Sequence, residues 1–225
     1  MPAPLPTQRQ RADRFTGRAG AASRQFQLRL ATAIERLAAE GTTYAELSVE
    51  RLIREAGVSR STFYKYFGDK TRLLSNLAEA VQVEFLQAAN SWLELPSAAD
   101  QSDYQAAFAT IFNTYRSHRV VMRCISEQAN HDPVIREHFA RMMDAFVAAV
   151  EQHIRQGQGT GSITSERPAH ELALWLTWML EHGQMLFVGP ATEPELEQYT
   201  SAATEIVWRA LYSPQATDHR APSHE

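Results

Sequence analysis

The sequence predicts an all-α protein: an N-terminal three-helix domain followed by a larger helical domain. Three observations carry this. Apolar residues recur at spacings of three and four in segment after segment, the repeat of one face of a helix. No stretch alternates apolar and polar residues in the two-residue rhythm of a half-buried strand. Gly and Pro stand largely between the periodic segments, where helices start and stop.

Taken in order, residues 1–22 are rich in Pro, Gly, Gln and Arg, a composition expected to stay disordered. Arg9, Arg11, Arg14 and Arg18 make this a basic arm, suited either to phosphates or to a solubilising tail. Residues 23–40 form the first helix, with Phe26, Leu30, Ile34 and Leu37 on one face and Gly41 ending it. Residues 42–47 are a link to two short helices within residues 48–69. The next helix begins at Lys70 and carries Leu74, Leu77, Val81, Phe85 and Trp92. Residues 96–102 are a loop. Residues 103–117 and 119–128 read as two helices, the first bearing Tyr104, Phe108, Ile111, Phe112 and Tyr115. Asp132 caps a helix with Pro133 at its first position, and residues 156–168 are a Gly-rich loop. Residues 169–188 are apolar nearly all round and are expected to be buried. Residues 194–212 carry Leu196, Tyr199, Ala203, Val207 and Ala210 on one face, and 213–225 are a loose tail. The predicted domains are therefore 23–69 and 70–212.

Residues 48–70 are the most informative stretch. Leu52, Ile53 and Ala56 share a face of the first short helix, and Gly57 ends it because glycine enters the left-handed region at little cost. Val58 fills the turn, and Ser59 caps a second helix starting at Arg60. That helix is too short to stand alone, so Phe63 and Phe67, four apart, must anchor it. Gly68 ends it and Asp69 caps the next helix. Two helices meeting at a glycine turn make a helix-turn-helix, whose second helix enters the DNA major groove. Ser61, Thr62, Tyr64, Lys65 and Tyr66 offer hydroxyls and a cation for phosphates and base edges, with no carboxylate among them.

The net charge of −4 conceals an uneven distribution: residues 1–70 carry +5 and the remainder −9. A basic N-terminal part is what local phosphate binding requires. The single cysteine, Cys124, excludes an internal disulfide framework and fits a reducing, cytoplasmic setting. No apolar run reaches the ~18 residues of a membrane span, and the N-terminus lacks the apolar core of a signal peptide.

The segment VSRSTFYKYFGDKTRLL closely resembles the recognition segment of TetR-family transcriptional regulators, with a Val-Ser start, a Thr-Phe-Tyr core and a short turn leading to Lys. By position, the resemblance implies that Thr62, Tyr64, Tyr66 and Lys70 contact phosphates. It implies that Arg60, Ser61 and Lys65 face bases and that Ser48 meets the DNA backbone. PAHELALWLTWML, SHRVV and IVWRALY resemble the ligand domain of a mycobacterial member of that family with a long apolar tunnel. Phe108, Phe112, Tyr115, Trp175, Thr177 and Trp208 lie on segments resembling its tunnel walls. Two asparagines of that member correspond to Thr177 and Leu180 here, so its ligand is not transferred to this chain.

Aromatic and methionine side chains gather in residues 92–208. They serve either as core or as the walls of a ligand site, since such sites are mostly apolar with a few polar groups. A site would be lined by Phe108, Phe112, Met142, Phe146, Trp175, Trp178 and Trp208, with Asn113, Tyr115 and Thr177 as polar candidates. The histidines include no pair at metalloprotease spacing, and there is no phosphate-binding glycine loop or nucleophile elbow. Neither catalytic nor metal-ligating residues are assigned, and no cofactor is expected.

The sequence thus predicts a homodimeric repressor that binds a palindromic double-stranded operator and is released by an apolar small molecule. The last two helices are expected to form the dimer surface. An activator on the same scaffold, or an apolar-ligand carrier or enzyme, are the alternatives.

Overall fold

The computed structural model describes residues 8–212, with side chains from Arg24 onward. The far N-terminus, the tail 213–225 and the side chains of Arg9, Arg11, Arg14 and Arg18 lie outside the described residues. Among the described residues there are eight α-helices, one π-helical turn and no strand: α1 Gln8–Ala39, α2 Val49–Ala56, α3 Arg60–Tyr66, α4 Lys70–Leu93, α5 Gln101–Ala129, α6 Pro133–Thr160, α7 Ala169–Gly183, the π turn Gln184–Val188 and α8 Glu193–Leu211.

The chain forms two compact units that do not follow chain order. One holds the residues up to Val81 with Val120–Phe139, the other Gln82–Arg119 with the residues from Ala140 onward. The expected division at residue 70 differs from this because α4, α5 and α6 each contribute residues to both units.

In the first unit α1 packs on α2, and α2 on α3. Leu30, Ile34 and Leu37 of α1, Leu52 of α2, Phe63 and Phe67 around α3, and Leu73 and Leu74 of α4 are buried. Burial of each phenylalanine stabilises by roughly 1.5–3 kcal/mol, which holds a helix of seven residues that would otherwise melt. The caps are those expected. Ser48 and Ser59 accept from the N–H groups of Arg51 and Thr62, each at 3.1 Å. Gly57 takes φ +59°, and Val58 N–H bonds Ile53 O at 2.9 Å, closing a Schellman turn. Asp69 accepts from Arg72 N–H at 2.8 Å.

Four expectations are corrected. The first helix starts at Gln8, not residue 23: the stretch after Pro6 has no further proline and is rich in Ala, Arg and Gln, good helix formers. Residues 101–129 are one helix rather than two, because no Gly or Pro stands among them to break it. α6 runs through Gly157 to Thr160. That glycine is a place of close approach, since a Cβ there would stand 2.5 Å from Cγ1 of Ile163. Finally, residues 169–188 are not buried all round: Ala173, Leu176 and Val188 point inward, while Trp175, Leu186 and Phe187 are exposed.

In α8 the buried face is Leu196, Thr200, Thr204, Val207 and Leu211. The two threonines are tolerated inside because each hydroxyl bonds the carbonyl four residues back, at 2.7 and 2.8 Å.

Candidate nucleic-acid interface and effector region

Two cations brace the helix-turn-helix from behind. Arg29 of α1 donates through Nε to the Ala56 carbonyl at 3.0 Å and through Nη2 to the Gly57 carbonyl, tying off the end of α2. Lys70 donates to the carbonyls of Tyr44, Ala45 and Leu47 at 3.1, 3.2 and 2.6 Å. Tyr44 returns its hydroxyl proton to the Lys70 carbonyl at 2.8 Å, and Nζ of Lys70 stands 5.3 Å from the Tyr44 ring centroid. The resemblance implies a phosphate contact for Lys70, whereas here its ammonium is engaged with the protein's own backbone. An ammonium has three donors, and here all three point into the link before α2. Neither brace leaves a periodic signal in the sequence, since each is one residue meeting carbonyls about 20–30 positions away.

α3 then presents its outer face. Tyr64 is 44% exposed, and Arg60, Ser61 and Lys65 are exposed with it. Arg60 stacks over Tyr64 with 5.5 Å to the ring centroid, and its Nη1 pairs with Glu50 at 3.1 Å. That carboxylate comes from α2, and sequence periodicity gives no sign of it beside α3. Thr62 is half-buried with its hydroxyl 2.8 Å from that of Ser59. Ser61 lies 3.0 Å from the same oxygen. Tyr66 is half-buried against Phe26, with centroids 5.2 Å apart. Ser48 is exposed with its hydroxyl committed to the α2 cap. The face is a compact set of donors on a short rigid helix, the arrangement that reads a groove.

In the second unit the aromatic side chains pack largely on one another. Trp92 stacks against Phe108 at 5.3 Å, and Phe108 lies 6.2 Å from Phe112. Phe85 lies between Tyr115 and Phe146 at 6.1 and 6.3 Å. Trp208 joins Tyr104 and Tyr212 at 5.1 and 5.5 Å. Met142 and Thr177 are buried. Three of the expected ligand residues stand apart: Asn113 is exposed, Trp178 is partly exposed, and Trp175 is 79% exposed. Two surface grooves of about 520 and 570 Å³ lie along α5 and α8, sharing Gln105 and Glu197. Neither is lined by any of the expected ligand residues.

A polar network unseen in the sequence ties the end of α8 to α4 and α6. His153 holds the Leu93 carbonyl through Nδ1 at 3.1 Å, so its Nε2 accepts from the Tyr212 hydroxyl at 2.7 Å. That hydroxyl in turn accepts from Trp92 Nε1 at 3.1 Å. Burial lowers the His153 pKa, and the Leu93 carbonyl opposes it. Four other histidines lie beside glutamates: His118 by Glu84, His138 by Glu79, His170 by Glu151 and His182 by Glu181. Among the described residues no three His, Cys, Asp or Glu side chains gather as a metal site. Burial pushes the Cys124 thiol up to about 12, away from the thiolate form that reacts.

Comparison with known proteins agrees with this geometry. Residues 30–77 match the N-terminal domain of bacterial regulatory proteins of the tetR family, and residues 104–213 match the C-terminal domain of transcriptional regulator EthR. The HTH-type transcriptional regulator EthR of Mycobacterium tuberculosis is 30% identical over 169 residues, 75% of this chain and 77% of the relative. The chain belongs to the TetR family. EthR of Mycolicibacterium smegmatis is 29% identical over 176 residues, covering 77% of this chain and 80% of its own.

Solved structures share the fold at lower identity. PfmR of Thermus thermophilus has a TM-score of 0.65 at 17% identity, covering 82% of this chain and 99% of its own. The fatty acid degradation regulator FadR of Bacillus halodurans has 0.66 at 15%, covering 81% and 94%. As a TetR-family member the chain is a transcriptional regulator of the DNA-binding repressor class, not an enzyme. Among the described residues no helix is long and apolar enough to cross a membrane.

Proposed function

We propose that this TetR-family regulator is a cytoplasmic, homodimeric repressor that binds a palindromic operator and leaves it when an apolar small molecule binds the second unit. The observation that carries the DNA half is the outer face of α3, where Arg60, Ser61, Tyr64 and Lys65 stand exposed on a helix pinned by Phe63 and Phe67. Ser48, Thr62 and Tyr66 belong at its edge, where a backbone phosphate passes.

The dimer half rests on the outer faces of α7, the π turn and α8. Trp175, Trp178, Met179, Leu186, Phe187 and Ile206 are exposed there, and exposed apolar side chains in such a group mark a protein contact. This reassigns Trp175 and Trp178 from the effector to the partner. The effector half rests on buried Phe108, Phe112, Tyr115, Met142 and Thr177, with half-buried Phe146 and Trp208 beside them. Release occurs when the effector favours an arrangement whose recognition helices no longer match major grooves about 34–36 Å apart.

The test is a gel-shift titration of Tyr64→Ala and Lys65→Ala on the operator. Each is expected to lose about 1–3 kcal/mol of specific binding where a base contact is removed. Unchanged affinity in both would remove α3 as the reader.

A further inference from the structure

Thr177, Glu181 and Gln184 succeed one another at spacings of four and three, so they share one face of α7. It is the inner face: Thr177 and Gln184 are each 8% exposed, and the Glu181 side chain is 11% exposed. On this row Oγ1 of Thr177, Oε2 of Glu181 and Oε1 of Gln184 are buried and accept no hydrogen bond. Buried polar atoms are nearly always paired. Three orphans in one row therefore mark a place built for a partner.

The backbone singles out the same place. α7 passes into the π turn at Gln184, whose carbonyl accepts from Gly189 N–H at 2.8 Å. Such turns are rare and frequently occur at functional sites. The end of this turn lies against the aromatic set, since a Cβ at Gly189 would stand 3.4 Å from the Tyr115 ring. Tyr115, Phe85 and Phe146 continue from there as rings packed edge to face.

The chemistry of the row selects its ligand. Gln184 Oε1 and an ionised Glu181 only accept, and Thr177 Oγ1 can accept. The one charged partner of Glu181 shown is its neighbour His182, whose Nδ1 lies 2.7 Å from Oε2 on a ring more than half exposed. Burial accordingly pushes the Glu181 carboxyl above its usual range, with His182 opposing. A buried carboxylate in this position is stabilised by a cation that also donates. A protonated amine supplies that charge together with three N–H donors, enough for Glu181 and for Gln184, three positions on along the same face.

We infer that the effector is an amphipathic amine, an apolar body ending in an ammonium group that Glu181 and Gln184 hold while the body lies past Thr177 among the aromatic rings. This rests on the effector reading above and adds the head group to it.

The experiment compares hexylamine, octylamine and decylamine with the matching alkanols and alkanoic acids on the full-length protein, by thermal shift and by operator release in gel shifts. The amines should bind at least ~10-fold more tightly than alkanols of the same length, a difference of ~1.4 kcal/mol, and the acids least. Glu181→Gln should remove most of that preference, and Gln184→Leu part of it. The comparison on the unmodified protein stands even if a variant fails to fold. If alkanols or acids bind as tightly as amines, or if a folded Glu181→Gln protein keeps the preference, the amine assignment is overturned while the effector site stands. If no compound in any series binds, the effector reading falls and the amine with it.

Discussion

Replacing Lys70 with methionine separates two readings of one residue. Family resemblance places this lysine on a phosphate, whereas the structure turns its ammonium onto the carbonyls of Tyr44, Ala45 and Leu47. Methionine keeps most of the apolar stem and removes all three donors. A hydrogen bond to a charged group contributes roughly 1.5–3 kcal/mol. Water reaches part of this site, so the three together are reduced to about 2–4 kcal/mol by screening. For a chain of this size that corresponds to a fall in Tm of about 4–16 °C. A lysine on a phosphate predicts something else. The slope of log affinity against log salt would fall by about 0.9 for each protomer on the operator, with little change in Tm. Thermal unfolding of Lys70→Met, paired with operator gel shifts at several salt concentrations, measures both. A lower Tm with an unchanged salt slope is expected. An unchanged Tm with a reduced slope would refute the brace and return Lys70 to the DNA.

Other outcomes rest on the same geometry. Trp175→Arg and Ile206→Glu should each yield a monomer in sedimentation velocity, losing roughly 2–4 kcal/mol of association; a wild-type chain that is itself monomeric while binding a palindrome would remove this face as the interface. Val207→Glu is no substitute, because Val207 is 0% exposed and the change would unfold α8. Burial depresses the His153 pKa, so the unfolded chain takes up the proton more readily. Stability is therefore full above the ordinary histidine value near about 6.5 and falls as pH drops below it. His153→Gln should flatten that fall in Tm, and an identical pH profile would exclude His153 as its source. Gly57→Ala should cost about 1–2 kcal/mol for the left-handed backbone alone, and its Cβ would stand 2.8 Å from Nη2 of Arg29. Urea unfolding with no shift in midpoint would contradict that.

The helix-turn-helix was legible from residue order alone because each signal lies within a few residues of its effect. Gly57 sets a left-handed turn, Ser59 and Asp69 cap the helices after them, and Phe63 and Phe67 fall on one face. The exposed donors of α3 were legible for the same reason. Tertiary packing settled the rest, because there a residue's role depends on what the fold brings to it. Lys70 and Arg29 became braces only when distant carbonyls arrived within their reach. Composition reads a helix rich in Trp, Leu and Met as buried. Yet a helix packed against one neighbour inside a protomer covers one face, so Trp175 stays outside while Thr177, two positions on, goes in. The buried polar row of Thr177, Glu181 and Gln184 is the extreme case. Periodicity counts apolar residues, and it is blind to a polar group buried without a partner.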